Sequence, residues 1–341
     1  MVTSKLMVSR GQRTTPEYLA QLSIIREFLF GPSVDPPWVW QHRPLPALDD
    51  VLIIRHMRIT DQHIAQLHHH GYAIVPSFLS SDELESGRVG VLRYFPSVDE
   101  LEATPERYAS IFEDPGHLQV EFPFAVDALN DISTHPEIVS LVERLLGTPR
   151  VLLSQAAIWA KYAGTGDFEQ GLHLDYQGNT LVVPRDDGTY RQVNMILYYT
   201  DVDAELGPTH VVSQEKTREL PLWPTHRTRK KDAALYKLEK PVLAAAGDLL
   251  IFSMRTWHRA SDLLADRGVR FSHHLVYRAA DHGFQGYHQY SQMGEKPELQ
   301  SFIAKATPRQ REVLGFPAQD DPFWTDETRA LVKLRYPGIA L

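Results

Sequence analysis

Two stretches of this chain belong together: Gly171-Leu172-His173-Leu174-Asp175, and Ala246-Gly247-Asp248-Leu249-Leu250-Ile251-Phe252 leading into Trp257-His258. In an extended strand, positions i and i+2 point to one face. His173 and Asp175 then project together, while Leu172 and Leu174 pack on the opposite side. His258 follows the strongest strand signal of the C-terminal half. Two imidazoles and one carboxylate from separate strands are the donors of a facial triad, which leaves further positions of an Fe(II) ion open. On these residues alone a plainer reading stays open, with His173 a hydrogen-bonded core histidine and His258 a loop residue.

Arg270 opens the next strand-like run, Arg270 to Tyr277. Arginine gives a buried carboxylate a bidentate, permanently charged partner, so Arg270 is a candidate for the far carboxylate of an oxo acid. A solvated strand edge is the alternative. Arg267 lies in the turn Asp266-Arg267-Gly268 and reads more simply as a solvated charge.

The 341 residues are 43% hydrophobic and 23% charged, which is ordinary globular composition. A net charge of −8 argues against a broad nucleic-acid surface. With no cysteine, disulfides, thiolate metal sites and cysteine nucleophiles are excluded. No apolar run reaches the roughly 18 residues of a membrane span, and the N-terminus lacks the apolar segment of a secretory leader. The expected location is cytoplasmic.

Residues 1–59 read as an extension, with a helix expected over Thr15–Phe30 and an irregular, proline-rich stretch after it. Helices are expected over Asp61–His70, closed by Gly71, from Ser80 onward, and from Pro136 to Leu146. Residues 95–133 lack a clean period and read as loop and short helix. From 150 the period changes: Val151–Tyr162, Leu172–Asp175, Gln192–Thr200, Thr209–Val212, Asp248–Phe252 and Arg270–Tyr277 are short strand-like runs between turn signals. Many short strands in one domain indicate a sandwich or barrel. The basic insertion 218–240 reads as a surface loop. Helical periodicity returns after 295, so the class is mostly β with flanking helices.

The chain resembles the phytanoyl-CoA dioxygenase family of Fe(II)/2-oxoglutarate-dependent oxygenases over about His70 to Arg278. His70-Gly71-Tyr72-Ala73-Ile74-Val75-Pro76-Ser77-Phe78-Leu79-Ser80 is similar to the family's opening strand and helix, Gly171 to Asp175 to its iron motif, Asp201 to Val212, with Gly207-Pro208-Thr209, to its following element, and Ala246 to Phe252 to the strand before its distal histidine. The resemblance implies a double-stranded β-helix (jelly-roll, cupin-like) core over 60–285, with a helical C-terminal extension, 286–341, packed on it. It also implies Fe(II) at His173, Asp175 and His258, 2-oxoglutarate at Arg270, O2 as second cosubstrate, and hydroxylation of a small molecule. Family members that halogenate lack the carboxylate, so Asp175 implies oxygen insertion or desaturation. One departure is Ser213-Gln214-Glu215 in place of the family's Pro-Gly-Ser, which implies a remodelled loop over the site.

Gln155, Trp159 and Lys161 share a face of the strand preceding the motif and are candidates for 2-oxoglutarate or substrate; packing is the alternative. Asn194, a polar residue in an apolar strand, wants a partner, with 2-oxoglutarate as one candidate. Tyr176 and Trp257 flank metal ligands and are candidates for the substrate pocket or for core packing. Consecutive helical residues diverge, so His68-His69-His70 reads as a solvated helix end. His273 and His274 alternate across a strand, so at most one faces the pocket. Two other readings are a cupin-like metal-binding protein or isomerase without 2-oxoglutarate turnover, and a metal-free barrel serving as an interaction module. Substrate identity and oligomeric state are not written in the sequence.

Overall fold

The computed structural model describes residues 58–110, 118–166, 169–175, 192–281 and 296–341. The helix expected over Thr15–Phe30 and the candidate Tyr176 lie outside the described residues. In chain order come α1 (Asp61–His70), β1 (Tyr72–Val75), α2 (Ser81–Val91), α3 (Val98–Ala103), β2 (Gln119–Glu121), α4 (Asp127–Ser133) and α5 (Pro136–Leu146). Next are β3 (Val151–Tyr162), β4 (Leu172–His173), β5 (Gln192–Tyr198), β6 (His210–Val211), β7 (His226–Arg227), α6 (Ala233–Tyr236), β8 (Lys240–Pro241), β9 (Leu249–Ser253), β10 (His258–Arg259) and β11 (Val269–Ala279). The helices α7 (Pro297–Lys305), α8 (Pro308–Val313) and α9 (Asp326–Arg335) follow.

The strands form two antiparallel sheets, one in the order β1-β9-β5-β11-β3-β2 and the other β7-β4-β10-β6-β8. This is the jelly-roll core expected of the sequence. Period-2 alternation divides the large sheet into two faces. Val193, Met195 and Leu197 of β5, with Phe271, Leu275 and Tyr277 of β11, join one apolar core with Ile138, Leu141 and Val142 of α5. Leu299, Phe302 and Ile303 of α7 belong to the same core, and the Phe302 ring meets Phe122 edge-on at 5.8 Å. The intervening residues of β5 and β11 turn to the other face, where the cavity lies. His273 and His274 obey this alternation. His273 is buried on the helical side between Ser133 Oγ and Tyr199 OH, each 3.0 Å away, and burial pushes its imidazole down to about 3. His274 lines the cavity.

Two elements differ from expectation. The basic insertion is not simply a loop: β7 pairs with β4 and β8 with β6, so it closes both edges of the small sheet. Each strand is two residues long, too short to carry a period. β2, within the segment read as loop and short helix, pairs with β3. Among the described residues no helix is long and apolar enough to cross a membrane.

The start of α2 shows how a local signal holds tertiary structure. Ser80 Oγ accepts from Glu83 N at 3.3 Å, while Glu83 Oε2 accepts from Ser80 N at 2.8 Å, a reciprocal cap. The same carboxylate takes Arg58 Nη1 at 2.5 Å and lies 3.2 Å from His135 Nε2. Burial alone pushes Glu83 up, but the bonds from Arg58, Ser80 and His135 outweigh it and hold the carboxyl at about 2. A carboxyl depressed on folding stabilises the protein above its unfolded value of 4.5, and that contribution is lost as pH falls through about 2. Glu83→Gln is therefore expected to lower stability at pH 7 by about 1 kcal/mol, the scale of a lost helix cap. Urea titrations at pH 7 and pH 3 check this, with the gap between variant and parent narrowing at the lower pH.

Candidate active site

The small sheet brings two histidines face to face. β4 and β10 pair with His173 directly opposite His258, and Asp175 follows in the turn after β4. His258 Nδ1 donates to Thr256 O at 2.9 Å, and His173 Nδ1 donates to Gly171 O at 2.9 Å. Those bonds fix the tautomer, leaving each Nε2 with a free lone pair. Asp175 Oδ1 lies 3.6 Å from His173 Nε2 and 3.5 Å from His258 Nε2. Cis ligands on a metal with bonds of about 2.1 Å sit about 3 Å apart, so the three atoms need only a small contraction to share one ion. The other carboxylate oxygen, Asp175 Oδ2, accepts from Asn194 Nδ2 at 2.7 Å, and Asn194 Oδ1 accepts from Gln192 Nε2 at 3.0 Å. Leu172 and Leu174 are buried beneath in a second apolar cluster.

A cavity of about 270 Å³ opens beside these donors. One row of its wall crosses four strands of the large sheet in register: Phe252, Asn194, Val276 and Gln155. At its far end Lys161 pairs in register with Arg270. Arg270 is only 3% exposed, and its Nη1 donates to Gly207 O. Gly207 has φ +62°, and a Cβ there would lie 2.9 Å from Ser261 O, so a larger residue would displace the carbonyl that holds the guanidinium. Arg270 Nε and Trp159 Nε1 are buried with no hydrogen-bond partner among the described residues. Buried unpaired donors are costly, and both line the cavity, so they suit a ligand that accepts hydrogen bonds.

Burial lowers the Arg270 guanidinium below its usual value. Burial first, then the Arg270 charge, brings Lys161 down to about 6. Burial, with Arg270 and Lys161 beyond it, lowers His274 well below the usual imidazole range, so that ring is neutral; its Nε2 lies 3.2 Å from Ser272 Oγ. The pocket floor is thus rich in hydrogen-bond donors around the Arg270 guanidinium, a setting for an anion.

Of the candidates read from the sequence, His173, Asp175, His258, Arg270, Gln155, Trp159, Lys161 and Asn194 all line this cavity. Asn194 bonds to a candidate metal ligand. Trp257 does not line it: the ring packs with Leu172 and Leu174, and the Arg227 guanidinium lies 5.1 Å from its centroid. Arg267 is at the surface, its Nε 2.7 Å from Glu102 Oε1. Of the pair His273 and His274, His274 is the one that lines the cavity; sequence reading missed Gln192 and Thr209, which also line it, and His226, whose ring stacks on His173 at 5.5 Å. Register opposite His173 marks His226, but only once β7 is known.

Asn194→Ala is expected to weaken iron binding about 10- to 100-fold, the usual effect of removing a residue that orients a metal ligand. Competition with a metal-binding dye under anaerobic conditions checks it; unchanged affinity would show that Asp175 is oriented by other means.

Donors, cavity and jelly roll together fit a non-haem metal-dependent enzyme with a candidate site of two histidines and one carboxylate. A sequence model for the family described as phytanoyl-CoA dioxygenase (PhyH) matches residues 67–270, and the chain belongs to that family. Its members are Fe(II)- and 2-oxoglutarate-dependent, so iron, 2-oxoglutarate and O2 are the cofactors and cosubstrates here. No curated protein matches the chain significantly.

Among solved structures, the chain is similar to HygX from Streptomyces hygroscopicus with nickel, 2-oxoglutarate and hygromycin B bound. The identity is 16%, the match covers 65% of this chain and 88% of that one, and the TM-score is 0.48. It is also similar to the epimerase SnoN in complex with Fe3+, alpha ketoglutarate and nogalamycin RO, at 18% identity over 64% of this chain and 83% of that one, with a TM-score of 0.45. AviO1 from Streptomyces viridochromogenes Tue57 is 19% identical over 64% of this chain and 95% of that one, with a TM-score of 0.43.

Proposed function

We propose that this chain hydroxylates an unactivated C–H bond of a small molecule, consuming 2-oxoglutarate and O2 and releasing succinate and CO2. The observation that carries the reading is the meeting, in one cavity, of three convergent metal donors with a buried arginine whose Nε has no hydrogen-bond partner among the described residues. His173, Asp175 and His258 would hold Fe(II), which when bound supplies O2 activation coupled to decarboxylation of the oxo acid. Thr256 O and Gly171 O keep both imidazoles in the metal-binding tautomer. Asn194 keeps Asp175 in place, which supports oxygen insertion over halogenation, since the carboxylate stays where a halide would need room.

Arg270 binds the far carboxylate of 2-oxoglutarate, with Lys161, Trp159 and Gln155 as the adjoining donors. The wall formed by Phe252, Ile196 and Val276 keeps water from the reacting centre. The catalytic domain spans 60–285, with 1–59 and 286–341 as extensions, and its setting is the cytoplasm.

Lys161 offers a direct check of the anion site. At about 6 it is largely neutral at pH 7.5. A carboxylate beside it favours the ammonium form, so 2-oxoglutarate binding takes up a proton. Calorimetry in two buffers of different ionisation enthalpy reads that proton, and Lys161→Met is expected to abolish it.

The reading is tested by succinate formation from anaerobically Fe(II)-loaded protein given 2-oxoglutarate and O2. Succinate in amounts dependent on both cosubstrates supports it. A 2-oxoglutarate-dependent visible band without succinate marks a competent site lacking its substrate. Neither band nor succinate overturns the reading in favour of a cupin-like metal protein that does not use the oxo acid.

A further inference from the structure

The histidine run His68-His69-His70 and the departure Ser213-Gln214-Glu215 meet in space, although 143 positions separate His70 from Ser213. His69 Nε2 lies 3.7 Å from Glu215 Oε2, and His70 Nδ1 lies 3.9 Å from the same oxygen. All three ligand atoms fall within 4.8 Å of one another. Adjacent helical residues normally diverge. Here the two rings, at the last turn of α1, stand edge to face at 4.4 Å, one presenting Nε2 and the other Nδ1.

We propose that His69, His70 and Glu215 form a second metal site, separate from the triad, that takes a zinc-class divalent ion. Ligand atoms around a tetrahedral zinc with bonds of about 2.0–2.1 Å lie about 3.3 Å apart, so each imidazole–carboxylate distance must shorten by roughly half an ångström, and the two imidazole nitrogens, within 4.8 Å of each other, must come to the same spacing by adjustment of exposed side chains. Two imidazoles and one carboxylate suit zinc-class metals, whereas Mg(II) and Ca(II) favour oxygen ligands. The side chains are 54%, 40% and 44% exposed, so an ion enters from solvent and water completes its shell. Ser213 Oγ, 3.1 Å from His70 Nδ1, hydrogen-bonds that nitrogen when metal is absent and is released when it binds.

The site joins two segments that bear on the active centre. Gln214 presses on Gly71, where an added Cβ would lie 2.4 Å from its Cγ, and its amide reaches Thr256 Oγ1 at 3.4 Å. Thr256 Oγ1 donates to Gly71 O at 2.6 Å, and Thr256 O holds His258 in its tautomer. An ion at His69, His70 and Glu215 therefore restrains the segment after β6 against the end of α1, one residue layer from a triad ligand.

Metal content of the full chain tests this, with Zn(II) added and excess removed by gel filtration. The parent protein is expected to retain one equivalent that Glu215→Gln and His69→Asn each lose and that His173→Ala does not affect. His68→Ala, outside the cluster, retains it. Co(II) gives a second readout: the intense visible absorption of a tetrahedral ion disappears in Glu215→Gln and persists in His173→Ala. Because the counting is done against His173→Ala, failure of the triad to bind metal would not be mistaken for failure of this site. Retention of the full metal content by both Glu215→Gln and His69→Asn overturns the proposal, as does a parent protein whose only equivalent is removed by His173→Ala.

Discussion

His173→Ala is expected to lower 2-oxoglutarate-dependent succinate formation on the order of 10³-fold, because a metal centre supplies several kcal/mol of catalysis and each 1.36 kcal/mol is tenfold. The loss should come with loss of iron rather than loss of fold. β4 pairs with β10 and β7 through backbone groups, which the substitution does not remove, and the apolar layer beneath, Leu172 and Leu174, is not altered by it. Iron content by absorption spectrometry, beside an unchanged circular-dichroism melt, separates the two. A variant that retains both iron and turnover would remove His173 from the site. His226 is the natural suspect for partial rescue, since its ring stacks on His173, and the double variant would expose it.

The second large effect is expected at Arg270. Truncating one partner of a buried charged contact costs about 2–5 kcal/mol, so Arg270→Ala should weaken 2-oxoglutarate binding on the order of 10²- to 10³-fold while leaving Fe(II) binding nearly unchanged. Titration of the anaerobic Fe(II) protein with 2-oxoglutarate, followed by its visible band, measures this. Arg267→Ala is the matched control, because that side chain is engaged with Glu102 and Asp99 at the surface. If Arg267→Ala instead produced the larger loss, the assignment of the anion site would pass to it. Arg270→Lys is expected to recover only part of the affinity, since an ammonium cannot donate to Gly207 O and to a ligand in the same planar geometry.

The donors on strands were legible because a strand has period 2. That period sets Gln155, Trp159 and Lys161 on one face of β3 and separates His273 from His274; it also suggested pairing His173 with Asp175, although β4 ends at His173 and the carboxylate reaches its neighbour from the turn that follows. Asn194 announced itself as a polar residue in an apolar strand, yet its partner could not be read. The residue it orients lies 19 positions away in the sequence and meets it only in the fold. Trp257 was misleading because its ring packs away from the cavity with Leu172 and Leu174. Neighbours along a strand point to opposite sides, and the side occupied by His258 is closed to Trp257. The short strands β7 and β8 left no trace in the sequence because two residues cannot show alternation. The histidine run was read through the geometry of a regular helix, whereas His69 and His70 converge on Glu215 by offering different ring nitrogens.

The three candidate metal ligands come from the small sheet and its turn, while Arg270 and Lys161 stand on the large one. On the proposed reading, an oxo acid held at both ends spans the gap between two layers, a gap the Asp175–Asn194 hydrogen bond also crosses. Its affinity becomes a gauge of interlayer spacing. Any change that spreads the layers, even on the outer face beneath β11, weakens binding without touching a ligand-contacting atom. Linkage makes the dependence mutual: whatever factor the bound acid adds to iron affinity, iron must add to the acid.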